Sequence, residues 1–226
     1  MVKRMWKDKK FFRAMVAIAL PITLQNLISS SVNMLDTLMI TSLGEASLAA
    51  VGLANQVFFF YSVTVFGVST GSAIFIAQFW GKKDRENIKR ILGLSLSIAS
   101  IIGVFFTLAA IFIPDRIMMI FSNDPEVIQL GVEYLTVVSL SYIITGISFS
   151  YAVASRSVGD AKMPMVVSLI SFITNGVFNY LLIFGKFGFP ALGVKGAAYG
   201  TLIARVVELA LIIYSIYSSD SPLAAN

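Results

Sequence analysis

Apolar residues fill this chain in six long blocks; polar residues sit in the gaps and at a few regularly spaced positions inside. Blocks of about 20 apolar residues are long enough to cross a bilayer as helices. The six spans are expected near residues 12–40, 48–79, 88–113, 127–154, 164–184 and 194–217. Loops between them are short, so successive helices should run up and down as neighbours. The expected fold class is an all-α membrane protein, a six-transmembrane-helix bundle forming one lobe over residues 1–226.

The first span is about 45 Å long if fully helical, against about 30 Å of hydrocarbon, so it should tilt, bend or project. Pro21 supplies a bend there by removing a backbone hydrogen bond. Pro114 closes the third span, and Pro164 stands in the first turn of the fifth. Between spans three and four, DRIMMIFSNDPEVIQLG predicts a short amphipathic interfacial helix, then a cap at Ser122–Pro125 opening span four.

Polar residues inside the spans are not scattered. Asn26, Ser29, Asn33 and Asp36 recur three or four apart and share one face of span one. Ser168, Ser171, Asn175 and Asn179 do the same in span five. Lipid satisfies neither stripe, so the two are expected to face each other across a wet cavity. Interhelical hydrogen bonding accounts for the serines and asparagines but poorly for Asp36. Gly67 with Gly71, and Gly196 with Gly200, are small-xxx-small patterns expected to let helices approach closely. Arg205 and Glu208, three apart in span six, are expected to form an ion pair facing protein or a crevice.

Composition and charge narrow the function. Apolar residues are 57% of the chain and charged ones 13%, too apolar for a soluble domain of this size. With no cysteine or histidine, disulfide, thiolate and His-based metal chemistry is excluded. There is no phosphate loop and no catalytic carboxylate pair, so an enzyme is not expected. The net charge of +5 does not point to nucleic acid, because the basic residues gather at alternate span ends. One side carries Lys3, Arg4, Lys7, Lys9, Lys10 and Arg13, then Lys82, Lys83, Arg85, Lys89 and Arg90, then Arg156 and Lys162. The other carries Arg116, Lys186 and Lys195. This asymmetry is expected to put both termini in the cytoplasm. The apolar run after the basic start is too long for a cleaved signal and no convincing cleavage site follows promptly, so an uncleaved first helix is expected, in a multi-pass protein of the plasma (inner) membrane.

Several separated motifs together carry a resemblance. They are DTLMITSLG from Asp36, running on through ASLAAVGLANQ; GVSTGSAIFIAQFWGKKD from Gly67; SRSVGDAKMPM from Ser155; Asn175 with Asn179; and ALGVKGAAYGT ending at Thr201. In these the chain resembles the multidrug and toxic compound extrusion (MATE) family of cation-coupled antiporters, whose members have twelve spans in two six-span lobes. It is similar to the N-terminal lobe. The resemblance implies that Asp36 binds a proton or sodium ion, with Asn175, Asn179 and Thr201 as polar neighbours and Pro21 as the bend. Asp36, Asn175 and Asn179 would be the sodium ligands. Asn179 is an acid in some relatives, which leaves one formal charge fewer here.

The expected function is therefore export of small organic cations by proton- or sodium-coupled antiport, with membrane lipid around the lobe and no cofactor. A homodimer or a second six-span lobe would complete the transporter. A carboxylate in a partly desolvated crevice is costly when charged and alone, and proton, sodium and cationic drug would compete for it. Two rivals remain: a flippase for a lipid-linked precursor, which calls for a cavity rich in Lys and Arg, and a non-transporting half-lobe acting as a fragment or assembly unit.

Overall fold

A computed structural model describes residues 9–219 and 221–224, which form eight helices and no strand. These are α1 (Lys9–Thr41), α2 (Glu45–Gly81), α3 (Arg85–Phe112), α4 (Pro114–Phe121), α5 (Pro125–Val138), α6 (Leu140–Ser157), α7 (Lys162–Phe184) and α8 (Val194–Ser218). Five are long and apolar enough to cross a membrane, and α5 with α6 makes a sixth span bent by 48°. The N-terminal basic residues Lys3, Arg4 and Lys7 lie outside the described residues.

The fourth span, expected over 127–154, is present but bent, and hydroxyl groups explain the bend. Thr107 Oγ1 of α3 donates to the Ser139 carbonyl at 2.8 Å, and Tyr61 Oη of α2 donates to the Tyr142 carbonyl. Ser141 Oγ donates to the Val138 carbonyl at 2.6 Å. Carbonyls drawn to side-chain donors release the regular helical ladder, and the axis turns there. Tyr61 and Tyr142 stack 5.0 Å apart and belong to one core cluster with Leu135, Met118 and Ile183. A second cluster gathers Ile76, Ile88, Leu92, Val167, Ile212 and Ile216, and Leu223 folds back onto it.

Turn chemistry fixes the helix starts. Asp84 caps α3 by accepting from the Asn87 backbone N–H at 3.1 Å and from its side-chain amide at 2.6 Å. Asp124 caps α5 by accepting from Glu126 N, with Pro125 in the first turn where it lacks no needed donor. Between the two lies α4, with Met118 buried and Ile120 exposed, the amphipathic element expected there. At the same end, Lys195 of α8 pairs with Glu133 of α5 at 3.6 Å.

Two expectations change. Gly196 does sit where α8 meets α7, since an added Cβ would lie 2.5 Å from the Leu182 carbonyl oxygen. Gly67 and Gly71 are exposed, and nothing lies within 4 Å of a Cβ built on either. Among the described residues, the α2 pattern therefore packs against no other helix. Arg156, counted among the loop cations, is instead half-buried in the last turn of α6.

Candidate functional site

α1 lies against α7, and at their contact Asn179 Nδ2 donates to Asp36 Oδ1 at 2.6 Å. The same nitrogen lies 3.3 Å from Asn175 Oδ1, one turn earlier on α7, and Asn175 Nδ2 lies 3.4 Å from Thr201 Oγ1 of α8. The i, i+4 spacing of the asparagines stacks the two amides on one face. Asp36, Asn179, Asn175 and Thr201 thus form one hydrogen-bonded chain across three helices. Asn179 is fully buried. Its Oδ1 has no hydrogen-bond partner and packs against Gly200, where a Cβ would overlap it. Gly200 is the residue that leaves room for this amide.

Asp36 borders a cavity of about 500 Å³. Ser29 and Asn33 of α1 line it with Asp36, and Ser168, Ser171 and Asn175 of α7 line it opposite. Asn26 does not line it and is exposed. Gln25, which the spacing did not single out, is the buried amide at that level. The cavity is also wider than two facing helices. α2 adds Asn55 and Ser62, seven apart on one face, and the bent span adds Tyr134 and Ser141. From α8 come Thr201, Arg205 and Glu208, whose spacing of four and three is the pattern that would have placed them together.

Charges in the cavity are few. Among the described residues lining it, the acids are Asp36 and Glu208 and the base is Arg205. Arg205 Nη1 bonds Glu208 Oε2 at 2.7 Å. Asp36 instead receives the neutral amide of Asn179. Oxygen atoms suited to a hard monovalent cation are at hand in the Asp36 carboxylate, the Asn175 amide and Thr201, while the Asn179 oxygen faces Gly200. In this arrangement Asn179 turns its nitrogen, not its oxygen, toward the carboxyl group.

At one end of the cavity three helices are clasped together. Ser168, which lines the cavity, accepts from Gln25 Nε2 at 2.8 Å, and Gln25 Oε1 accepts from Arg156 Nη2 at 2.7 Å. Pro21 lies one turn before Gln25, is buried, and sits inside an α1 that continues through it. It stands outside the cavity, about 22 Å along the helix axis from Asp36.

A family model described as MatE matches residues 21–181. The probable multidrug resistance protein NorM of Thermotoga maritima is 30% identical over 209 residues, covering 92% of this chain and 45% of that protein. The probable multidrug resistance protein YoeA of Bacillus subtilis is 28% identical over 213 residues, covering 94% and 46%. The chain spans about half the length of the curated relatives it matches. Among solved structures, the outward-facing conformation of a multidrug resistance MATE family transporter superposes with TM-score 0.85 at 27% identity, covering 94% of this chain and 47% of that one. The inward-facing conformation gives 0.78, covering 93% and 48%. A MOP superfamily transporter from Pyrococcus furiosus, whose binding pocket is described as reversed in polarity and suggestive of a different function, also gives 0.85 at 27% identity, covering 94% and 46%.

Proposed function

The chain belongs to the MatE family, and from that premise we propose that it is the N-terminal lobe of a proton- or sodium-coupled antiporter exporting organic cations. Fold alone does not choose the cargo, and the Pyrococcus furiosus neighbour is described as carrying a pocket of opposite polarity. The observation that carries the reading is local. Asp36 faces the cavity with a neutral amide as its partner, while the arginine sharing that cavity is bonded elsewhere.

Such a carboxylate has three occupants of one sign to choose among. A proton neutralises it directly. Sodium would draw on the oxygens of Asn175, Asn179 and Thr201, with the Asn179 amide rotated to present its oxygen. An organic cation would fill the cavity beside Ser29 and Asn33. Occupants that exclude one another at a single charge, and that prefer different conformations, exchange across the membrane. With the basic turns on the cytoplasmic side, among them the exposed Lys82 and Lys83 at the α2–α3 turn, the Arg156–Gln25–Ser168 clasp lies at the cytoplasmic end. That placement agrees with cytoplasmic termini. Pro21 is the hinge about which the first part of α1 swings when the clasp opens.

A complete path needs a second lobe, supplied by another copy of this chain in the same orientation or by a separate six-span unit. A flippase reading is weaker, because Arg205 is the one basic side chain among the described residues lining the cavity. In proteoliposomes with an imposed sodium or proton gradient, the chain is expected to drive ethidium movement, and Asp36→Asn to abolish it at matched reconstitution. Undiminished flux in the variant would end the coupling role of Asp36. Absence of gradient-driven flux in the unaltered chain would favour the non-transporting half-lobe.

A further inference from the structure

Arg205 and Glu208 lie three apart on α8, so their 2.7 Å bond joins no two helices. A pair of that kind ties one helix only to itself and does not join the bundle. Both nevertheless face the cavity that holds Asp36, with Glu208 12% and Arg205 31% exposed. Holding charges at such a position costs desolvation that this weak pair does not offset, so the scaffold has little use for it. Its effect falls on the charge of the cavity.

Arg205 stands one turn beyond Thr201, the last member of the chain of amides that begins at Asp36. Among the described residues lining the cavity, the carboxylates that could hold Arg205 are Glu208 and Asp36. While Glu208 holds it, the pair sums to zero and Asp36 leaves one unbalanced negative charge. Without Glu208, the guanidinium would turn to Asp36, the sum would be zero, and the site would carry its own internal cation. Without Arg205, two negative charges would face one cavity.

We propose that the Arg205–Glu208 pair sets the charge of the Asp36 cavity and thereby selects singly charged organic cations over doubly charged ones. This rests on the reading of Asp36 as a cation site and names the substrate class that site takes. Glu208 acts as a specificity-determining residue by holding the Arg205 guanidinium in an ion pair of its own, not by touching the cation.

The test is binding to the full chain in nanodiscs, with tetraphenylphosphonium as the monocation and methyl viologen as the dication. Unaltered protein should prefer tetraphenylphosphonium. Glu208→Gln, close in shape, should weaken its binding about tenfold or more, the scale of one unit charge across a partly solvated cavity. Arg205→Gln should shift the preference toward methyl viologen by about the same factor. The double variant carrying both changes restores one net negative charge and should recover most of the monocation binding lost in Glu208→Gln. Unchanged tetraphenylphosphonium binding in Glu208→Gln would overturn the proposal while leaving the cation reading intact. So would a double variant no better than the single one, which would make the pair a structural element. If the unaltered chain fails to bind tetraphenylphosphonium, or Asp36→Asn binds it equally well, the cation reading itself falls and the role of the pair falls with it.

Discussion

Asn179 and Asp36 meet nose to nose, amide nitrogen to carboxylate oxygen at 2.6 Å, although they come from the fifth and first membrane crossings. The amide is the acid's hydrogen-bond partner, while Arg205 shares the cavity without bonding it. A second carboxylate at that position would change the balance directly. In Asn179→Asp, two acids within hydrogen-bond reach cannot both remain charged without a cation between them. Sodium affinity should rise on the order of tenfold, about 1.4 kcal/mol, as read by calorimetric titration of the purified chain. Weaker or unchanged sodium binding would mean that the carboxylate pair does not enclose the ion.

Gly200 secures that contact from behind. A methyl group there would overlap the Asn179 side chain and come within 3.0 Å of Asn179 Cγ and its backbone nitrogen. Gly200→Ala should therefore push the amide off Asp36 and weaken cation binding, with overpacking that costs about 1–3 kcal/mol in thermal unfolding. Gly67→Ala, at a glycine with open space around it, should leave the unfolding midpoint of the isolated lobe unchanged.

The two glycine pairs show what was legible in the sequence and what was not. Both have the same spacing, and nothing local distinguishes the one that meets a neighbour from the one that meets none. Six spans and the Asn175–Asn179 face were readable because the periodicity that encodes them lies within single helices. The bend at Ser139 was not, since its cause is a hydroxyl on α3. Arg156 read as a loop cation because its partner Gln25 is 131 positions away. Arg205 and Glu208 were recognisable as a pair. That they share a cavity with Asp36 depends on how α8 is rotated against α1 and α7, which packing decides.

The clasp at Gln25 joins α1, α6 and α7 through two hydrogen bonds, one from a cation. Hydrogen bonds between membrane helices contribute about 0.6 kcal/mol each and up to about 1.7. Gln25→Leu should cost about 1–3 kcal/mol, seen as a lower unfolding midpoint in detergent. Gln25→Glu, which gives Arg156 a carboxylate, should retain most of the stability. Equal midpoints for the leucine variant and the unaltered chain would show that the clasp holds nothing.

Asp84 links pH to the start of α3. The hydrogen bond from the Asn87 side chain, helped by the Asn87 backbone N–H and then by Arg90 and Lys82, holds its carboxyl below the usual aspartate range. A lowered value means the cap is fully present above that range and is lost as the pH falls through the folded value. Amides at the start of α3 should lose protection from hydrogen exchange on acidification. Asp84→Ala should show the same loss at neutral pH. Protection in Asp84→Ala equal to that of the unaltered chain would remove the cap from the account.

The central claim is that one negative charge at Asp36 is shared in turn by ions and drug. The direct measurement is displacement of bound tetraphenylphosphonium from the purified chain as sodium is added, or as the pH is lowered, in the unaltered protein and in Asp36→Asn. Competitive displacement by at least one of the two, with Asp36→Asn binding little probe and responding to neither, is the predicted result. Probe and ion bound together without mutual effect, or displacement that persists in Asp36→Asn, would contradict it.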